Sequence, residues 1–503
     1  MAHIQNGKVS EPARELPVFR KVDVAVIGGG SAGYPAAIAA ARNGAKVLLI
    51  ERQPMVGGTG PNAFVTEFLS CENLSGIMKE VAERLGAEGG ATQQFRPEYF
   101  NLAFDPDTLR LVILDLLEEA GAEILLNSWV TDVVADGNSV ASDGTQRCVR
   151  GVIVENKSGR QAVLADVVID ASGDADVAAR AGVAMQPKET PQPMMMLFRA
   201  GGVDWRGIEN YARANPNEFS KTWGVPPGSF DGAKVVHCSG WHSVVEQGKA
   251  QGLLPKDFGT NLSVFGATPA NIEHSIGYIY AVPVLNRDPA DAVELTQAEI
   301  EGRKSVRAIL PFLKTVPGLE NAFLIDIAPQ IGVRDSRRIV GDHILTRDEI
   351  FDEAEPADTI ALKVHRGPNV KGWVHHPADG KEGAAPHRNL FEGAAPFVVV
   401  AFGIPYRCLL PKGIEGLLVA GKTVSFDNEA HARCRLMPEC IAMGEAAGTA
   451  AAIAVAAKVS ARRIDVAALR AKIADGGLNL ERGRIDFASY RALLEERGYK
   501  LAN

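Results

Sequence analysis

Residues 23–52 read DVAVIGGGSAGYPAAIAAARNGAKVLLIER. Val24 to Ile27 is a short apolar run that predicts a strand, Ala36 to Ala41 are strong helix formers until Asn43-Gly44 breaks them, and Val47 to Ile50 predicts the next strand. Strand, helix and strand in that order make a βαβ unit, so the sheet should be parallel with helices on its faces. Between the first strand and the helix, Gly28-Gly29-Gly30-Ser31-Ala32-Gly33 fits GxGxxG. The first glycine makes the turn, Gly30 lets backbone approach a pyrophosphate, and Gly33 lets helix and strand pack closely. The helix start at Ser31 and Ala32 then offers free amides and a positive dipole end to phosphate. Glu51 follows the first glycine by about 20 residues at the end of the second strand, where an acid accepts both ribose hydroxyls and disfavours a 2′-phosphate.

The rest of the chain bounds what this unit serves. At 503 residues it exceeds the roughly 250 to 300 at which single cores stop growing, so two domains are expected. Hydrophobic residues at 46% and charged ones at 23% fit a globular enzyme. A formal net charge of −8, with only short basic clusters, argues against nucleic acid as a partner. The six cysteines (71, 148, 238, 408, 434 and 440) show no CxxC pair and no zinc-ligand spacing, so reduced thiols and no metal are expected. The first twenty residues lack an apolar export segment, and the most apolar later stretch, Ala446 to Ala457, falls short of the ~18 residues of a membrane span. A cytoplasmic protein without a membrane span is expected.

Thr108 to Ala120 predicts an amphipathic helix stopped by Gly121, followed by a strand from Glu123. Val130 to Val134, Val140 and Val152 to Glu155 predict antiparallel strands turning at Asp136-Gly137 and Ser158-Gly159, and Val167 to Asp170 predicts another buried strand. From about Met185 the texture changes: prolines at 187, 191 and 193, then most of the tryptophan and histidine. GLLVAG at 416–421 resumes the earlier pattern. The predicted organisation is an N-terminal arm (1–20), a discontinuous Rossmann-like α/β cofactor domain (21–185 and 396–458), an inserted α+β substrate domain (186–395) and a C-terminal helical segment (459–503).

GxGxxG alone does not separate FAD from NAD. After Glu51 comes Arg52, then a second glycine cluster, Gly57-Gly58-Thr59, which lets backbone pass close to a further part of a long cofactor. No second GxGxxG occurs. Together with VIDASGDADVAARAG (168–182), GVRDSRRIVGD (332–342), IPYRCLLP (404–411) and LLVAGKTVSFDNEAHARCRLMPECIAMGEAAGTAAA (417–452), the chain resembles the FAD-dependent oxidoreductases of the fumarate reductase and succinate dehydrogenase flavoprotein superfamily. The resemblance implies FAD extended between two domains, contacted beyond the glycine turn by Val130, Ala171, Gly173, Asp174, Gly421, Arg435, Met437 and Pro438. It also implies a helix after Arg435 whose N-terminus faces the flavin edge that gains charge on reduction. Two departures stand out. Lys422 occupies the position where many flavoproteins have an aspartate after the late glycine, and there is no His-Thr signature of covalent attachment, so non-covalent FAD and a substrate other than fumarate are expected.

Hydride exchange needs an acid or base and a group to hold the substrate. His431 titrates near neutrality and is weighed evenly against a structural hydrogen bond. Tyr406 is a second candidate acid, although a buried tyrosine more often caps a core hydrogen bond. Arg334 and Arg407, with Arg337, Arg338, Arg433 and Arg435, form a basic presence suited to a carboxylate, most of them expected to serve cofactor or salt bridges. His365, His375, His376 and His387 are read as solvated loop histidines. Cys71 is read as a small buried hydrophobe. The expected function is hydride transfer between FAD and a small polar, carboxylate-bearing substrate, with an undetermined electron donor or acceptor and a homo-oligomer left open. A flavin monooxygenase and an electron-transfer subunit are the alternatives, the second disfavoured by the absence of an iron–sulfur cysteine cluster.

Overall fold

The computed structural model describes residues 3–496 apart from 6, 12, 92–100, 137–146, 188–191, 220–236, 257, 266–267, 281–282 and 369–396. Its first sheet has eight strands. Val18–Ile27 lies at the centre, parallel to Val47–Ile50 on one side and Gly159–Asp170 on the other, with Glu123–Leu125 beyond Val47–Ile50. The inner apolar runs are buried on both faces, as parallel strands covered by helices must be. Ile27 pairs with both Ile50 and Asp170, and Asp170 with Val419 of the short parallel strand Leu417–Val419. The next residues, Gly28, Glu51, Ala171 and Ala420, therefore emerge side by side at the carboxyl edge, where open α/β sheets take their ligands.

The helix after the glycine turn is Gly33–Arg42. The amphipathic helix starts slightly earlier than expected, at Pro106–Ala120, because the Asp105 carboxylate accepts the Asp107 and Thr108 amides, and it ends at left-handed Gly121. Trp129–Asp136 and Arg147–Asn156 form the expected antiparallel arm; Val140 and Gly137 lie outside the described residues.

A second, antiparallel sheet of five strands runs His237–Gly240, Leu262–Phe265, Ile276–Tyr280, Leu197–Gly201, Phe323–Ile327. Helices Trp205–Ala214, His242–Ala250 and Ala292–Leu313 contribute to its core. Met194 and Met195 lead into it through single bridges to Val284 and Gly332. This second core draws on residues 194–331 and Phe64, whereas Ile339, Leu345, Ile360, Phe402 and Ile404 join the first core. Much of the later half of the span 186–395 thus packs with the cofactor layer, because the hairpin Thr359–Pro368 with Phe397–Pro405 lies against the long helix Met437–Ala457. His365 belongs to that hairpin and is buried, which corrects its reading as a solvated loop residue; His375, His376 and His387 lie outside the described residues.

Met437–Ala457, at 21 residues, is long and apolar enough by composition to cross a membrane, and 72% of its most apolar window is buried inside the protein. The expectation that this stretch is too short took only its C-terminal half. Its alanines and glycines serve helix packing: a Cβ on Gly444 would overlap the Ala32 carbonyl, and one on Gly448 the Ala36 carbonyl, so this helix and Gly33–Arg42 touch backbone to backbone.

Candidate functional site

A cavity of about 430 Å³ lies between the two sheets, with the carboxyl edge of the first as one wall. Residues Gly28, Gly30, Ser31, Ala32, Glu51, Arg52, Gly58, Thr59, Val130, Ala171, Gly173, Asp174 and Gly421 all line it. The glycines divide by what they do. A Cβ on Gly28, at φ +94, would sit 2.5 Å from the Ala171 carbonyl oxygen, and one on Gly33 would overlap the Gly28 carbonyl. These two close the turn against its neighbours. Gly30 is different: a Cβ there meets nothing nearer than Gly58 Cα at 3.5 Å and would stand in the open cavity. Gly57 stands behind the wall, where its amide donates to the Gly29 carbonyl at 2.8 Å and braces the first turn.

Glu51 is buried, with its two carboxylate oxygens accepting the Gly29 amide at 2.6 Å and the Gln53 amide at 2.8 Å. It holds the loop that it shares with the cavity. Asp170, at the end of the neighbouring strand, accepts the Ser172 amide and hydroxyl and the Ala178 amide, which shapes the turn carrying Gly173 and Asp174; burial pushes its carboxyl upward. Asp174 faces two cations, Lys422 at 3.4 Å and Arg52 at 3.9 Å, and Arg52 also stacks on Trp129, 5.3 Å from the ring centroid.

A turn without β-carbons, an uncapped helix start at Ala32 and a buried acid at the next strand end suit a dinucleotide's pyrophosphate and ribose. The same cavity is also lined by Arg435, Leu436, Met437 and Cys440, at the equally uncapped start of Met437–Ala457. Pro438 is behind that wall. The donor set fits FAD, with Glu51 and the glycine turn at one end and the Arg435 to Met437 segment at the other.

Opposite Arg435, the second sheet supplies Ser239, Ser263, Phe265 and Tyr280, joined by Glu67 and Arg334. Arg334 donates to the Pro193 carbonyl at 2.8 Å and lies near the Tyr280 phenol, and among the described residues no carboxylate lies within ion-pair distance of it. Tyr280 and Glu67 were not singled out from the sequence. A tyrosine closing a strand and a glutamate in a two-residue strand carry no spacing signal that would have done so.

The remaining candidates go elsewhere. His431 is buried outside the cavity lining, with Nε2 3.7 Å from Asp335; burial, then Arg338, Arg435 and Lys422, holds its pKa well below the usual imidazole range, so it is neutral and a poor acid. Tyr406 is fully buried and its hydroxyl donates to the Ala461 carbonyl at 2.8 Å, the core hydrogen bond weighed as its alternative; as a proton donor to substrate it is out of reach. Arg407 is half-exposed at the surface and paired with Asp358 at 2.9 Å, and so does not serve a substrate in the cavity. Arg337 pairs with Asp176 at 2.6 Å, partly exposed, and Arg338 with Asp335 at 3.1 Å in the interior. Cys71 is buried, which pushes its thiol far up. Among the described residues no group of three His, Cys, Asp or Glu side chains could hold a metal ion.

A stretch of 37 residues is 60% identical to a fumarate reductase (cytochrome) of Shewanella frigidimarina, covering 7% of this chain and 6% of that one. A stretch of 58 residues is 43% identical to a dihydrolipoyl dehydrogenase of Manduca sexta, 12% of each. The chain thus matches only a small part of the length of these curated relatives. Among solved structures, a geranylgeranyl bacteriochlorophyll reductase-like protein from Thermoplasma acidophilum aligns over 95% of this chain and 87% of its own at 13% identity and TM-score 0.44, and the flavin-dependent halogenase CmlS over 95% and 63% at 14% and 0.44. The model of the family described as FAD dependent oxidoreductase matches residues 23–473. The chain belongs to the FAD dependent oxidoreductase family and is an enzyme whose cofactor is FAD.

Proposed function

We propose that this enzyme is a dehydrogenase or reductase of a small polar substrate bearing a carboxylate, with FAD held non-covalently. Bound FAD supplies hydride exchange at a substrate carbon. The observation that carries the substrate class is Arg334, a cavity-lining guanidinium with no acidic partner among the described residues. A guanidinium has five donors, and a planar fork of them matches a carboxylate bidentately. Its hydrogen bond to the Pro193 carbonyl orients it without neutralising it. Arg435 adds positive charge on the facing wall.

The test is anaerobic mixing of the yellow holoenzyme with 2-hydroxy acids, 2-enoic acids and neutral cyclic polyols. Carboxylates are expected to bleach the flavin, or to reoxidise it after photoreduction. Arg334→Met is expected to weaken carboxylate binding by at least tenfold, about 1.4 kcal/mol. Reaction confined to the neutral polyols would overturn the assignment.

A further inference from the structure

We propose that the Tyr280 hydroxyl is the group that exchanges a proton with the substrate during hydride transfer. The proposal deepens the reading of Arg334 as the carboxylate anchor and rests on it.

Tyr280 ends the strand Ile276–Tyr280, and its ring packs on Phe265, centroids 4.3 Å apart, which fixes the direction of the phenol. The side chain is half-buried, and the surface that it keeps lines the cavity. Arg334 lies near enough to the phenol to act on its ionisation, and a guanidinium can only donate, so it leaves the phenol's own hydrogen unclaimed. Among the described residues no acceptor takes the phenol's hydrogen, and the side chain lines the cavity. A substrate atom in the cavity is the acceptor that the geometry leaves. The charged groups facing Tyr280 are Arg334, Glu67 and Arg435. Burial raises its pKa and keeps it protonated near neutrality, while Arg334 and Arg435 act in the opposite sense and would stabilise a transient phenolate.

In the reducing direction, reduced FAD, when bound, would supply H⁻ with its electron pair to one carbon of a substrate double bond. The adjacent atom takes H⁺ from Tyr280, and the O–H electron pair stays on the phenolate oxygen beside Arg334. Solvent then returns a proton to the phenolate. Oxidation breaks and makes the same bonds in reverse, with the phenolate as base. The other polar groups of this wall are less suited: the Ser239 and Ser263 hydroxyls engage each other at 2.9 Å, and Glu67 accepts from Asn101 at 3.0 Å.

Tyr280→Phe keeps the ring on Phe265 and removes only the hydroxyl. Two probes of the oxidised holoenzyme separate anchoring from proton transfer without turnover, read as perturbation of the flavin spectrum: acetate, which offers one carboxylate to Arg334, and oxalate, which adds a second oxyanion for Tyr280. Tyr280→Phe is expected to weaken oxalate about tenfold and to leave acetate within twofold, whereas Arg334→Met weakens both. With the substrate found in the acid panel, Tyr280→Phe should lower kcat by about 10²- to 10⁴-fold with KM little changed. It should also remove the tyrosine limb of the pH profile. A kcat within threefold of wild type, or an equal loss of acetate and oxalate, would overturn the assignment to Tyr280 alone. Failure of wild type to bind either anion would overturn the Arg334 reading beneath it.

Discussion

The Lys422 ammonium lies 3.4 Å from the Asp174 carboxylate, and the same nitrogen donates to the Gly173 carbonyl. The position after the late glycine, acidic in many flavoproteins, is thus basic here, and the carboxylate stands on the opposite turn. Both side chains are about 15% exposed, so solvent screens the pair only partly. Lys422→Asp would set two carboxylates against each other at the edge of the cofactor cavity. FAD binding is expected to weaken at least tenfold, measured by fluorescence quenching on titrating FAD into apoprotein. The double swap Asp174→Lys with Lys422→Asp should recover most of that loss. No recovery would mean that the two positions bind FAD independently of their mutual pairing.

Gly30 and Gly33 lie in one motif but should fail in different ways. Gly30→Ala puts a methyl group into the open cavity and meets nothing in the fold closer than 3.5 Å, so the melting temperature of the apoprotein should be unchanged while FAD content falls. Gly33→Ala overlaps the Gly28 carbonyl and must push helix from strand, an overpacking cost of roughly 1–3 kcal/mol. Its apoprotein should melt several degrees lower. Equal melting temperatures in the two variants would contradict this division.

Glu51 carries two short hydrogen bonds from backbone amides with one carboxylate. Glu51→Gln offers a single acceptor oxygen and turns an amide donor toward one of the two N–H groups. With hydrogen bonds to charged groups worth about 1.5–3 kcal/mol, FAD affinity should drop by roughly ten- to a hundredfold. Equilibrium dialysis against FAD reads this directly; an unchanged dissociation constant would show that the loop does not need its acid.

The cofactor half of the site was legible in the sequence because backbone does most of its work. A glycine turn, a helix start and an acid at a strand end keep fixed offsets along the chain, whatever the rest of the fold does. The substrate half was not. Tyr280, Arg334 and Glu67 come from three separated segments, and only the packing of the second sheet over the first brings them to one wall. Tyr406 and Arg407 show the converse: they are adjacent, but one turns inward to Ala461 and the other outward to Asp358, a choice set by a short helical turn rather than by composition. The hairpin from Thr359 likewise carries no sequence mark that it will pack against the helix Met437–Ala457 and join the first core.

Glu445 gives the fold a pH dependence of definite sign. It sits inside Met437–Ala457, where it accepts the Ile77 amide at 2.9 Å beneath Gly76, and burial pushes its pKa up to about 7. In the unfolded chain a glutamate titrates near 4.3. Between those values the folded state holds a proton that the unfolded state has released, so stability falls as pH rises through this window and levels off above about 7. At about 1.4 kcal/mol per pH unit the loss reaches up to about 4 kcal/mol. Glu445→Gln keeps an oxygen for the Ile77 amide and cannot ionise. Its urea midpoint should match wild type near pH 5, exceed it at pH 8, and vary less between the two. A variant that tracks wild type at both pH values would show that Glu445 ionises in the folded protein at no cost. The neighbouring Glu439, also pushed up to about 7 by burial, is held by Lys363 at 2.5 Å and would then account for whatever slope remains.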